Sequence, residues 1–166
     1  MGSRVSGLSD DHAAHARHLI ILQANLMVRN KFKIVYSQNP DRNMGIRNHL
    51  SVVRGQFPTR CDCSSTTYWM MWDAMHRPYG TRDVVADNHW ITCYTGSMYK
   101  HGKAVVHDKN LKVGDGIFYG DQGGGIPEHV AVYVGGYRVF SHGSMGGPYF
   151  EGLDYRPDRR MSRRYI

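Results

Sequence analysis

No stretch of this 166-residue chain is apolar for long enough to span a membrane, which takes roughly 18–20 residues as a helix. The N-terminus also lacks an apolar run behind a basic start, so neither membrane insertion nor a signal peptide is expected. Cysteine is scarce. The three present, Cys61, Cys63 and Cys93, are an odd and small set that excludes a disulfide framework. Cys61 and Cys63 have the wrong spacing for a C-x₂-C half-site, and Cys93 has no cysteine neighbour. The ten histidines form no H-E-x-x-H motif, so neither a metal nor a cofactor is expected. Acid is under-represented, with 14 Asp and Glu against 21 Lys and Arg, for a net charge of +7. Such a field favours anionic surroundings. Arg156, Arg159, Arg160, Arg163 and Arg164 crowd the last part of the chain without any nucleic-acid-binding signature, so no nucleic-acid partner is expected. Internal repeats and low-complexity segments are missing as well. The length suits one monomeric domain over 1–166, with 1–35 as a helical and extended lead-in and 36–166 as the core.

What the chain does have is a cysteine at the start of an apolar helix. Arg60-Cys61-Asp62-Cys63-Ser64-Ser65 runs into Thr66-Thr67-Tyr68-Trp69-Met70-Met71-Trp72. Unpaired N–H groups and the positive dipole end of a helix favour an anion, so Cys63 is expected to ionise readily and act as a nucleophile. The helix is apolar nearly all round to about His76, which predicts burial on most sides. Upstream, Ser9-Asp10-Asp11 predicts a capped helix running to about Asn30, followed by an extended piece over 32–36 and a polar loop over 37–57. Downstream, a short helix is expected near 97–101, stopped at Gly102, and then the period changes to that of strands: 114–120, 128–134 and 137–142. Helices first and strands after predict an α+β fold with an antiparallel sheet.

Gly135-Gly136 between two apolar runs predicts a two-residue hairpin. That register sets Val134 opposite Tyr137, Ala131 opposite Phe140 and His129 opposite His142. Directly opposed residues share a face, with Cβ atoms roughly 4.5–5.5 Å apart. The expectation is therefore an imidazole pair. His129 would be the base a cysteine nucleophile needs, and His142 would orient it.

These segments together resemble the NlpC/P60 cysteine peptidases. Asp62-Cys63-Ser64-Ser65 resembles the family's D-C-S-[GS] nucleophile motif. Leu111-Lys112-Val113-Gly114-Asp115-Gly116-Ile117-Phe118-Tyr119 is similar to its L-x-x-G-D-L-x-F-F strand. His129-Val130-Ala131-Val132-Tyr133-Val134-Gly135-Gly136 is similar to its H-V-G-I-Y-[IV]-G strand, and Ser141-His142-Gly143-Ser144 stands where the family carries its third polar residue. The set occurs in the family's order. The wording of Ser141–Ser144 and of Ile34-Val35-Tyr36-Ser37-Gln38 is similar to peptidase domains of endolysins from actinobacterial phages.

The resemblance implies a papain-like fold, with the nucleophile's helix packed on an antiparallel sheet, and hydrolysis of peptidoglycan stem peptides at a D-glutamate–diaminopimelate bond. Cys63, His129 and His142 would be catalytic, with Tyr36, Asp62 and Ser64 at the oxyanion or substrate. His142 lies one residue further from His129 than the family spacing, which leaves Glu151 and Asp154 as alternative orienting groups. Asp62 also reads as a helix cap and Ser64 as a first-turn residue. An amidase on the same fold and a non-catalytic wall-binding module are the other readings. A phage enzyme of this kind would accumulate in the host cytoplasm before reaching the wall.

Overall fold

The computed structural model describes residues 5–143 and 146–166; Ser144 of the quoted motif lies outside them. Helix α1 (Asp10–Arg29) begins as its sequence predicts: Ser9 Oγ accepts the His12 N–H at 3.2 Å, and Asp10 and Asp11 occupy the first turn. Its inner face, including Ala13, Ala16, Ile20, Ala24 and Met27, is buried. The segment over 32–36 is only partly extended. A 3₁₀ turn at Lys31–Lys33 precedes strand β1 (Val35–Tyr36). The polar stretch after it holds short turns and helix α2 (Met44–Arg47) before strand β2 (Arg60–Cys61).

Strands β1 and β2 pair in parallel, Val35 with Arg60 and Tyr36 with Cys61. That pairing brings Tyr36 beside the nucleophile run across a long loop. Helix α3 (Cys63–Met71) follows at once and is buried along its whole length, as its all-round apolar sequence requires. It continues through a wide π turn (Trp72–His76) into helix α4 (Arg77–Tyr79), which ends at Gly80 with φ of 63°. Helix α5 (Thr95–Lys100) stops just before Gly102.

Among the described residues the larger sheet has six strands: β3 (Lys103–Val105), β4 (Gly116–Tyr119), β5 (His129–Gly135), β6 (Arg138–Gly143), β7 (Gly146–Gly152) and β8 (Ser162–Arg164). Their order is β3-β8-β4-β5-β6-β7, and every pairing is antiparallel. Strands β3, β7 and β8 were not expected from the sequence. One face of the sheet carries Phe118, Val130, Val132 and Phe140 into the main core with α1 and α3. The other face carries Ile117, Tyr119, Ala131, Tyr133 and Val139 into a small second core closed by Leu153. The α+β class and the antiparallel sheet agree with the sequence.

The hairpin register does not agree. Gly135 pairs with Arg138, so the two-residue loop is Gly136-Tyr137, one step later than predicted. Both loop residues are left-handed, at φ of 59° and 57°, as a type I′ turn requires. Tyr137 accepts this conformation because tertiary contacts hold it. The Tyr133 hydroxyl takes the Tyr137 N–H at 3.2 Å, and Tyr137 O takes the Leu153 N–H at 2.8 Å. A bulge between Tyr133 and Gly135 then sets Tyr133 against Val139 and Val132 against Phe140. Carried on, this alternation turns His142 to the helix side with Val130 and turns Ser141 to the outer side with His129.

Gly102 illustrates how tightly β3 and β8 close. Its φ is 74°, and a Cβ there would lie 2.7 Å from the Arg164 carbonyl oxygen and 2.7 Å from the Tyr165 ring. Neither the left-handed backbone nor that backbone contact yields easily, so Gly102→Ala is expected to cost about 2 kcal/mol. Urea unfolding of the variant measures it; an unchanged midpoint would refute the steric account.

Candidate active site

Asp62 organises the start of α3. Its side chain accepts the Ser65 N–H at 2.8 Å, Ser65 Oγ accepts the Asp62 N–H at 2.9 Å, and Asp62 O accepts the Thr66 N–H at 3.1 Å. This capping box satisfies the first turn's donors and leaves the Cys63 N–H outside its own hydrogen bonds. Arg42 Nη1 donates to Asp62 at 2.7 Å and to Ser64 Oγ at 3.1 Å, and Arg42 Nη2 donates to Cys93 O at 3.1 Å. Asp62 and Ser64 are both buried and committed to the cap and this ion pair. The predicted contact of these two residues with oxyanion or substrate is therefore replaced by a scaffolding position beneath the nucleophile. Arg42 carried no sequence signal, because only the fold brings that loop to the helix start.

Cys63 is 6% exposed. Its sulfur lies 3.9 Å from Thr95 Oγ1, with the Val130 and Ser64 backbone amides near enough to favour a thiolate. The predicted easy ionisation does not hold in the resting protein. Burial pushes the thiol up, and the Asp62 carboxylate adds to this; the donors on sulfur only partly offset them. The residue that caps the helix is itself an anion. Cys61, two residues earlier, is pushed up to about 12 by burial and lies over His142 Nδ1 at 3.5 Å.

His129 begins β5 and precedes Val130, whose amide lies near the sulfur. Burial, helped by the Arg156 charge, lowers its pKa to about 4, so its ring is neutral near pH 7. Its Nε2 lies 2.9 Å from Ser141 Oγ, and Ser141 Oγ lies 3.0 Å from Tyr155 Oη. His142 faces the other way. Its Nδ1 contacts Thr66 Oγ1 at 3.3 Å and Cys61, while Nε2 is buried with no partner among the described residues. Thr66 spends its own proton on Asp62 O at 2.6 Å, so His142 Nδ1 is the donor to Thr66. The expected imidazole pair is thus corrected: the register shift hands the second nitrogen of His129 to Ser141. The two alternatives do not take that place either. Asp154 pairs with Arg159, and Glu151 lines the cleft.

Tyr36 does reach the site. Its hydroxyl lies near Cys63, and burial followed by the Cys63 charge pushes its pKa up to about 12, which keeps its proton in place. Its ring meets His142 edge-on, with centroids 5.4 Å apart. A cleft of about 490 Å³ opens over Tyr36, His129, Ser141, Tyr149, Glu151 and Tyr155.

The two buried histidines make stability depend on pH. His142 is also lowered to about 4, by burial, against an ordinary value of about 6.5. A folded state that binds protons less readily than the unfolded chain loses stability as pH falls. The loss starts near pH 6.5, runs to about pH 4, and is on the order of 3 kcal/mol per histidine. Urea unfolding at steps from pH 7 to pH 4 should follow that slope, and His142→Gln should remove about half of it. A flat profile in the wild type would contradict neutral burial.

Comparisons with known proteins agree with this architecture. The peptidoglycan hydrolase RipB of Mycobacterium tuberculosis superposes with a TM-score of 0.61 at 22% identity, covering 98% of this chain and 70% of that one. The P60 domain of the Mycobacterium avium subspecies paratuberculosis antigen MAP1204 gives 0.54 at 20% identity, covering 90% and 97%. NlpC2 of Trichomonas vaginalis gives 0.53 at 21% identity, covering 89% of this chain and 46% of that one. The chain thus spans less than half of that protein's length and likewise 44% of NlpC1 from the same organism. At these identities the likeness shows the fold. No curated protein matches the chain. The sequence pattern of the NlpC/P60 family matches residues 52–149, more than half of the chain and the whole run from α3 to β6, and the chain belongs to the NlpC/P60 family.

Proposed function

We propose that this chain is a cysteine peptidase that hydrolyses peptidoglycan stem peptides at a D-glutamate–diaminopimelate bond, as the catalytic domain of a phage endolysin. One observation carries the reading: Cys63, at the first position of a buried helix, lies by the Val130 amide that follows a neutral His129, and the Nε2 of that histidine is already engaged by Ser141. That leaves His129 Nδ1 to accept the thiol proton. Because thiol and imidazole are both uncharged at rest, proton transfer accompanies attack. The sulfur adds to the amide carbonyl carbon. The resulting oxyanion takes hydrogen bonds from the Cys63 N–H and the Tyr36 hydroxyl. His129 returns the proton to the departing amine, leaving a thioester. A water molecule, deprotonated by His129, then attacks the thioester; the acid departs and the thiol regains its proton.

The family membership and the peptidoglycan hydrolase RipB among the structural neighbours support the substrate class. The net charge of +7 suits an anionic wall. The likeness of Ile34–Gln38 and Ser141–His142 to actinobacteriophage endolysins supports a lysin made in the host cytoplasm. Incubation with purified actinobacterial peptidoglycan, followed by mass spectrometry of the released fragments, tests the reading. New peptide ends within the stem name the endopeptidase bond. Intact stems freed from the sugar make the enzyme an amidase instead. No release from any wall type removes the catalytic reading.

A further inference from the structure

The third position of the site is held by a serine, and a serine hydroxyl is ambiguous where an aspartate is not. An aspartate only accepts, so it forces the facing imidazole nitrogen to carry a proton. A serine both donates and accepts. If Ser141 Oγ–H pointed at His129 Nε2, the ring proton would sit on Nδ1, and the nitrogen that the peptidase reading assigns to the thiol would have no lone pair to offer. The useful tautomer therefore needs something that draws the Ser141 proton away from His129.

Tyr155 Oη is in place to do so, 3.0 Å from Ser141 Oγ, which also lies 2.9 Å from the imidazole Nε2. The phenol is held by its surroundings. The Tyr119 ring packs against both His129 and Tyr155, at 6.0 and 5.2 Å between centroids. Tyr119 Oη donates to Leu153 O at 2.8 Å, fixing the turn that carries Tyr155, and the Tyr155 N–H donates to Gly152 O at 3.0 Å. Burial raises the Tyr155 pKa, so the phenol keeps its proton, and it borders the cleft, where that proton has somewhere to go other than Ser141.

We propose that Tyr155 is a positioning residue which, by accepting the Ser141 hydroxyl proton, sets a one-way chain from His129 Nε2–H to Ser141 to Tyr155 and so fixes the imidazole tautomer with a free lone pair at Nδ1. This rests on the reading of His129 as the base of a cysteine peptidase. This hydrogen-bond relay is uncharged, so the imidazolium formed during turnover has no carboxylate in hydrogen-bond contact; Glu128 and Asp158 act on His129 only as nearby charges, opposed by Arg156 and His142. The acid limb of activity accordingly lies lower than it would with one.

Tyr155→Phe keeps the ring against Tyr119 and removes only the acceptor. On stem-peptide hydrolysis, its kcat is expected to fall roughly tenfold, the worth of one oriented hydrogen bond, with little change in KM. The ¹⁵N chemical shifts of His129 are expected to move toward the Nδ1–H tautomer. Ser141→Asp, an acceptor without ambiguity, is expected to restore kcat in the Tyr155→Phe background and to move the acid limb to higher pH. A Tyr155→Phe protein with wild-type kcat and wild-type ¹⁵N shifts overturns the proposal, as does a double variant no better than Tyr155→Phe alone. Failure of the peptidase reading looks different: the wild type then hydrolyses nothing. The ¹⁵N readout still decides the tautomer in that case.

Discussion

Cys63→Ala is expected to lower peptidoglycan hydrolysis by about 10⁴-fold or more, because no other group can form the thioester. The fold should survive. Alanine is the strongest helix former and leaves the Asp62 capping box untouched, so the stability change should stay within about 1 kcal/mol. Cys61→Ala is the matched control. It removes the same side chain two residues earlier, from a thiol that is fully buried, pushed up to about 12 and turned toward Pro58 O and His142. It should keep activity within a few-fold. Initial rates of fragment release, paired with circular dichroism, separate the two. Undiminished hydrolysis by Cys63→Ala would end the account given of the nucleophile.

The largest expected loss of stability is at Asp83, far from the chemistry. Its carboxylate is buried and accepts the N–H groups of Val85, Ala86, Asn88 and Trp90 together with the Tyr68 hydroxyl. It is the hub of the loop between α4 and α5, where Asp87, His89 and Trp90 all take left-handed conformations and Trp90 packs on Tyr68 at 5.1 Å. Burial is the largest single influence on the Asp83 pKa and works to raise it. Tyr68 and the backbone donors outweigh it and hold the carboxyl below its usual range. Its contribution is therefore present above the ordinary aspartate range and fades as pH falls through the lowered value. Asp83→Ala strands four amides and a phenol, and the expected loss is about 4 kcal/mol, with Asp83→Asn losing roughly half as much. Denaturant unfolding of both variants measures this. A loss for Asp83→Ala below that of an ordinary surface change would show that the loop does not depend on its hub.

The sequence contained neither that hub nor the third position of the site in readable form. Cys63 at a helix start, His129 at a strand start and the two-state pattern of helices then strands are local properties. They follow from a capping residue, an all-round apolar run and alternating apolar positions, and the structure has them within a residue or two. The error at His142 has a specific cause. Strand faces alternate with period two, so a one-residue change in turn position exchanges the faces. In the shifted turn Tyr137 is held by the Tyr133 hydroxyl within the hairpin and by the Leu153 N–H, a residue that no local rule joins to the turn.

The sequence by itself thus determined the family, the fold class and the places of Cys63 at a helix start and His129 at a strand start, because each is written in short-range spacing. The tertiary structure decided what surrounds them. It put Tyr36 beside the nucleophile run through the β1–β2 pairing, Arg42 under the cap, Ser141 rather than His142 on the imidazole, and Tyr155 behind Ser141. It also reversed the expected charge state of Cys63, since the helix end's pull toward thiolate is a local effect while desolvation depends on every element packed around the sulfur.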